Sequence, residues 1–165
     1  RGRRALPPAS PPPRPSVAQA VAAREALARG RLTLGRGAGE SMNEVPVTGM
    51  EWPEFKVRFG RLKEAVELMR RLWREDFVSY QGEYFQTREV TLYDKPGGGA
   101  VPIYVGASGE VAARFAGRVA DGFICTSGKG MELYSEKLLP AVSEGAERAS
   151  RGYDSTVETM CHTWL

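Results

Sequence analysis

One histidine, two cysteines and no apolar run near the length of a bilayer crossing make this 165-residue chain poor in the commoner signals of function. His162, Cys125 and Cys161 are three potential ligands where a structural zinc site takes four, so no metal is expected. Two cysteines cannot build a disulfide framework either. A membrane-spanning helix takes about 20 apolar residues. The opening RGRRALPPASPPPRP also lacks the apolar stretch of a secretory signal, so a cytoplasmic location without a membrane partner is expected. No GxGxxG opens a helix with an acid about 20 residues on, which disfavours NAD. Five residues separate Gly122 from Gly128 where an ATP-type phosphate loop has four, and nucleotide hydrolysis is disfavoured likewise.

The basic pI of about 9.0 invites a nucleic-acid reading until the charge is located. Residues 1–35 hold seven arginines against one acid, Glu25, a net of +6; the whole chain carries +3, so residues 36–165 carry −3. The body has no stripe of cations interleaved on one surface, and no nucleic-acid partner is expected. Hydrophobic residues make up 42% and charged ones 26%, the proportions of a globular domain rather than a disordered one.

Six of the eleven prolines precede residue 16, where they remove backbone donors, so residues 1–16 read as a disordered Pro/Arg-rich head. The chain starts without methionine, and such a head is compatible with a transit peptide, a linker or a misread longer gene. Alanines and good helix formers over 17–27 predict a helix stopped by Gly30. RLTLG at 31–35 alternates like a short strand. Phe55, Phe59, Leu62, Val66, Met69 and Trp73 recur at steps of three and four, which predicts a helix with one buried stripe and Pro53 as its first residue. The aromatic and β-branched stretch 77–93, broken at Gln81-Gly82, predicts a β-hairpin, and DKPGGG a turn.

After that turn, apolar runs of strand length at 101–107 and 121–127 alternate with helical stretches at 110–120 and 130–149, and a last strand begins near Val157. Strands apolar on both faces with helices between them predict a parallel sheet of about four strands. A complete eightfold barrel takes about 250 residues, so the chain is either a small open sheet or a piece of a barrel.

Ligands of parallel β/α folds gather at the carboxyl ends of the strands, which singles out three loops. The first, Gly35 to Glu44, is rich in glycine and contains Glu40, a carboxyl group suited to proton exchange with a substrate. The second is Gly106-Ala107-Ser108-Gly109-Glu110, where Gly109 opens a helix and could place a phosphate on free helical amides. The third, Thr126-Ser127-Gly128-Lys129, offers hydroxyls and an ammonium to an anion. Each loop taken singly also fits a plain tight turn or a helix start with nothing bound. His162 and Cys125 read as packing residues in strands.

The segments GAGESMNEVPVTGMEWPEFKVRFGRLKEAVELMRRLW, VPIYVGASGEVAARFAGRVADGFICTSGKG and ELYSEKLLPAVSEGA resemble the coenzyme F420-dependent glucose-6-phosphate dehydrogenases of the luciferase-like superfamily. The likeness spans residues 17–165, and DGFICTSGKG is its most specific part. It implies part of a (β/α)8 TIM-type barrel with a β-hairpin insertion. It implies a 5-deazaflavin, coenzyme F420, that accepts a hydride from C1 of glucose 6-phosphate to give 6-phosphogluconolactone, with FMN the less favoured alternative. Matched by motif, Ala38, Gly39 and Asn43 would contact the deazaflavin, and Glu40 would be the catalytic acid/base. Ser108, Gly109 and Val111 would hold its ribityl-phosphate region, while Thr126 and Lys129 would grip the sugar phosphate.

The match also has gaps. The family's first strands, with an active-site histidine, a tryptophan and an aspartate, have no counterpart here, and the proline-rich head stands where a cofactor-binding threonine is expected. Strands carrying a further lysine and an arginine for the phosphate would follow Leu165, and Ala38 replaces the family's threonine. The resemblance thus implies an internal piece of such an enzyme, incomplete at both ends and inactive alone, from a homodimeric parent. The competing readings are another F420- or FMN-dependent luciferase-like oxidoreductase and a non-catalytic remnant.

Overall fold

The computed structural model describes residues 4–5, 14–39, 41, 45, 49, 51–126, 130–150 and 158–162; for 4–5, 14, 126 and 158–162 it describes the backbone alone. The chain divides into two units, one of residues 1–34 and 38–101, the other of residues 35–37 and 102–165.

The first unit is built on two helices. Helix α1 runs Arg14–Ala28, three residues earlier than the sequence boundary at 17. Pro15 causes no break there, because first-turn amides have no helical acceptor to lose. The rest of the proline-rich head lies outside the described residues, apart from the two-residue strand β1 (Arg4–Ala5). The glycine stop is where the sequence puts it. Arg29 and Gly30 both have positive φ, 40° and 76°, and the Gly30 N–H donates to the buried carboxylate of Glu25. The Arg31 Nε then donates to the Ala28 carbonyl at 2.8 Å, so residues 29–31 finish the helix end rather than begin a strand. Strand β2 consequently spans Leu34–Gly37 and not 31–35, with Leu34 and Arg36 as its buried positions.

Helix α2, Phe55–Arg74, is the predicted amphipathic element, except that Glu54 is its N-cap, Pro53 stays outside, and the first two stripe positions are not buried: Phe55 is exposed and stacks on half-buried Phe59. Its buried stripe contains Leu62, Ala65, Val66, Leu68, Met69, Leu72 and Trp73. The alanines of α1 let this stripe approach closely, and the Trp73 indole N–H donates to the main-chain carbonyl of buried Ala18 at 3.1 Å. Burying so large a ring with its polar atom satisfied is among the strongest packing contributions available; truncating a buried Trp typically costs about 3–5 kcal/mol.

Strands β3 (Val78–Gln81) and β4 (Gln86–Val90) form the predicted antiparallel hairpin, pairing Tyr80 with Thr87 and Gln81 with Gln86. The connection is longer than the Gln81-Gly82 break suggests. Its backbone amides at Glu83, Tyr84 and Phe85 all donate to the Glu64 carboxylate of α2, at 2.8, 2.9 and 3.0 Å. A Cβ at Gly82 would crowd that carboxylate and the edge of the Tyr80 ring, so a larger residue there would require both side chains to shift.

In the second unit the strand order is β2-β5-β6-β7, where β5 is Ile103–Gly106, β6 Gly122–Thr126 and β7 Glu158–His162. β5 and β6 are parallel, as are β6 and β7, which matches the expectation from the apolar runs. Helix α3 (Glu110–Val119) crosses from β5 to β6. Residues 130–149, expected as one α-helix, contain a π-helical segment, Leu133–Leu138, that leads into α4, Leu139–Arg148. Pro140 explains the widening: it has no N–H to donate, and its ring crowds the carbonyl of residue 136. In the widened turn the Leu139 N–H reaches back five residues to the Tyr134 carbonyl. Arg114 of α3 meets Glu110 and Glu144, and holds the Glu144 carboxyl below its usual range. No helix among the described residues is long and apolar enough to cross a membrane.

Candidate active site

The carboxyl ends of β5 and β6 lie side by side. Their register pairs Tyr104 with Gly122, Val105 with Phe123 and Gly106 with Ile124, and the Ala107 N–H donates to the Ile124 carbonyl at 2.9 Å. Gly106 sits between two neighbouring chains: a Cβ there would stand 3.6 Å from the Arg36 carbonyl of β2 and 4.0 Å from that of Ile124.

Beyond this point the chain turns outward. Ser108, Gly109, Glu110 and Val111 are all exposed, Val111 at 53%. Gly109 is the N-cap of α3, in extended backbone and without a side-chain cap, so it supplies no oxygen to the first-turn amides. The one acid in that turn, Glu110, is drawn to Arg114 at 2.9 Å. An anion could therefore occupy the helix end, where unsatisfied amides and the helix dipole favour negative charge. The exposed Val111 beside it offers an apolar contact to a carbon chain.

Thr126 ends β6, and its backbone is in register with that of His162 at the end of β7. His162, expected as a packing residue away from the loops, is thus placed by the topology at the same carboxyl end as Thr126. Periodicity could not show this, because strand pairing joins residues 36 positions apart. Ser108, Gly109, Val111 and the backbone of Thr126 accordingly lie at one end of one sheet. Lys129 lies outside the described residues.

In the first unit, Ala38 and Gly39 are half-buried, and Gly39 has φ +97°, a conformation that a side chain would strain. The loop is held by a residue that the sequence reading did not select. Arg58, in the first turn of α2, donates from Nη1 to the Ala38 carbonyl at 3.0 Å and more loosely to that of Gly39 at 3.5 Å. Its Nε donates to the Pro53 carbonyl at 2.9 Å, and its guanidinium lies 4.3 Å over the Trp52 ring. One cation among the many of α2 gives no signal in a sequence; its role comes from closing a contact across 20 residues. Glu40 and Asn43 lie outside the described residues.

A β/α unit with glycine-bearing loops at the carboxyl ends of parallel strands belongs to the class that binds ligands there. The family follows from comparison. Residues 10–163 match the luciferase-like monooxygenase model, and the chain belongs to that family. It is 60% identical over 137 residues to an F420-dependent glucose-6-phosphate dehydrogenase of Rhodococcus erythropolis, covering 82% of this chain and 40% of that protein. It is 57% identical over 145 residues to a dehydrogenase of the same name from Segniliparus rotundus, covering 86% and 43%. The chain thus spans about two fifths of the length of the curated relatives it matches.

Among solved structures, an F420-dependent secondary alcohol dehydrogenase in complex with an F420-acetone adduct superposes with a TM-score of 0.83 at 34% identity, covering 95% of this chain and 48% of that one. A coenzyme F420-dependent tetrahydromethanopterin reductase from Methanopyrus kandleri, at 20% identity, a TM-score of 0.85 and coverage of 98% and 49%, shares the fold. The parallel sheet is therefore part of the luciferase-like barrel that the sequence resemblance implied.

Proposed function

We propose that the protein to which this chain belongs oxidises glucose 6-phosphate at C1 and passes the hydride to coenzyme F420, giving 6-phosphogluconolactone. The observation that carries the reading is identity of 51–60% to several F420-dependent glucose-6-phosphate dehydrogenases over more than four fifths of the chain. Each taken within its own unit, the positive-φ glycine at 39 suits the close approach of a flat ring, and the uncapped, exposed start of α3 suits a phosphate.

When bound, the deazaflavin supplies the hydride acceptor. This chain's residues bind, orient and move a proton. Ala38, Gly39 and Asn43 line the ring, while Ser108, Gly109 and Val111 hold the ribityl-phosphate region. Glu40 exchanges the proton that must leave the C1 hydroxyl as its hydrogen departs. Thr126 and Lys129 bind the substrate phosphate, remote from the reacting carbon.

The test is loss of the deazaflavin's visible absorbance when glucose 6-phosphate is added to the complete protein. NAD and a simple secondary alcohol serve as the competing acceptor and donor. Reduction of NAD without any response from the deazaflavin overturns the cofactor assignment. Turnover of the secondary alcohol in preference to the sugar phosphate overturns the substrate. Lys129→Ala should raise KM for glucose 6-phosphate about tenfold or more and leave deazaflavin affinity unchanged, since a charge-assisted contact is worth about 1.5–3 kcal/mol.

A further inference from the structure

Arg58 combines four contacts on one planar cation: the carbonyls of Ala38 and Gly39, the carbonyl of Pro53, and the face of Trp52. A guanidinium held on one side by a ring and by the Pro53 carbonyl ahead of the helix has little rotational freedom left, so it fixes what it touches on the other side. There it touches the two residues of the positive-φ turn. All described peptides are trans, so the carbonyl of Ala38 and the N–H of Gly39 point in opposite directions. With the carbonyl turned to Arg58, the Gly39 N–H is turned away from it. Donation by a cation to a carbonyl also polarises that peptide and strengthens its N–H as a donor.

Resting on the functional reading above, we propose that Arg58 is a positioning residue for the deazaflavin-binding loop: it aims and strengthens the Gly39 N–H toward an acceptor atom of the flat ring. Arg58 itself does not touch the cofactor. Lysine could reach one carbonyl, but could not grip Pro53 and Ala38 together while stacking on Trp52. Methionine could fill the space over Trp52 and make none of the polar contacts.

The experiment uses the complete protein as wild type, Arg58→Lys and Arg58→Met, with three readouts. These are hydrogen exchange of the peptide spanning residues 36–41 without cofactor, Kd for coenzyme F420 by fluorescence, and KM for glucose 6-phosphate at saturating F420. Arg58→Met should accelerate exchange in that peptide and raise Kd about ten- to a hundredfold, with Arg58→Lys in between. KM for the sugar phosphate should stay within about twofold, as expected when uniform binding at a separate subsite is kept.

A merely structural role would lower the melting temperature and leave Kd of the folded fraction unmoved. That result, or equal exchange and equal Kd in all three proteins, overturns the inference while leaving the functional reading intact. A wild-type protein that does not bind F420 overturns the functional reading, and the cofactor role of Arg58 with it.

Discussion

Ile103 and Asp121 hold each other twice: the Ile103 N–H donates to the Asp121 carboxylate at 2.9 Å, and the Asp121 N–H donates to the Ile103 carbonyl at 2.8 Å. The pair stands where β5 and β6 begin, one residue before the Tyr104–Gly122 register pair, and thus at the end of the sheet opposite the candidate site. It sets the register that brings the Ser108 loop beside the end of β6.

Asp121→Ala should therefore destabilise the protein by about 1–2 kcal/mol, the lower part of the range for a charge-assisted bond because Asp121 is exposed. Asp121→Asn should recover most of the loss, since it keeps an acceptor oxygen. Denaturant melts of the two variants decide this; equal stability of Asp121→Ala and wild type would sink it. Kinetic constants should change little, because conservation of structure at the amino-terminal end of barrel strands serves stability.

Gly117 of α3 and Gly145 of α4 let two helices touch backbone to backbone: a Cβ at Gly117 would strike the Val142 carbonyl, and one at Gly145 the Arg114 carbonyl. Elsewhere in a helix, Gly→Ala is favourable by about 1 kcal/mol. Here Gly117→Ala and Gly145→Ala should each cost about 1–3 kcal/mol through overpacking, read as a lowered melting temperature. Gly130→Ala, with open space at its Cβ, is the control that should not destabilise.

The Glu64 carboxylate, which gathers the amides of Glu83, Tyr84 and Phe85, should dominate the order of the hairpin connection. Glu64→Ala should speed hydrogen exchange at those three amides by about tenfold or more, consistent with loss of charge-assisted bonds. Exchange in the α2 stripe around Leu68 and Met69 should stay unchanged. Glu64→Gln is expected to rescue little, because one of the two accepting oxygens becomes an amide donor facing donors.

Partial burial, then the charges of Glu67 and Glu64, push the Tyr80 phenol up to about 12 from its ordinary value near 10. Its hydroxyl donates to the Glu67 carboxylate at 3.3 Å. The raised value means that the folded state keeps this proton after the unfolded chain has lost it. Stability from this group is hence complete below about pH 10 and falls as pH rises toward 12. Ultraviolet titration of wild type minus Tyr80→Phe should show the late midpoint, and Glu67→Gln should move it down. An unshifted midpoint near 10 would refute the assignment.

Much of the scaffold is legible in the amino-acid sequence. The three- and four-residue steps from Leu62 to Trp73 record the buried face of α2, although the same spacing extended to Phe55 meets an exposed ring, and the apolar runs around Ile103 and Phe123 record strands covered on both sides. Gly30 marks a helix end because only a residue without a side chain adopts that φ cheaply. These are local properties: burial and backbone sterics act residue by residue and leave a periodic or compositional trace. Two departures from the expected elements are local as well: Arg31 is engaged at the end of α1, so β2 lies at 34–37 and not 31–35, and Pro140 widens the helix ahead of it into a π turn. Tertiary structure decided the rest. It brought Thr126 into register with His162, gathered three amides on Glu64 and set Arg58 on the Ala38 and Gly39 carbonyls. Each of these joins polar groups distant in the chain, and a carboxylate or guanidinium has the same appearance in sequence whichever partner the closed chain brings to it.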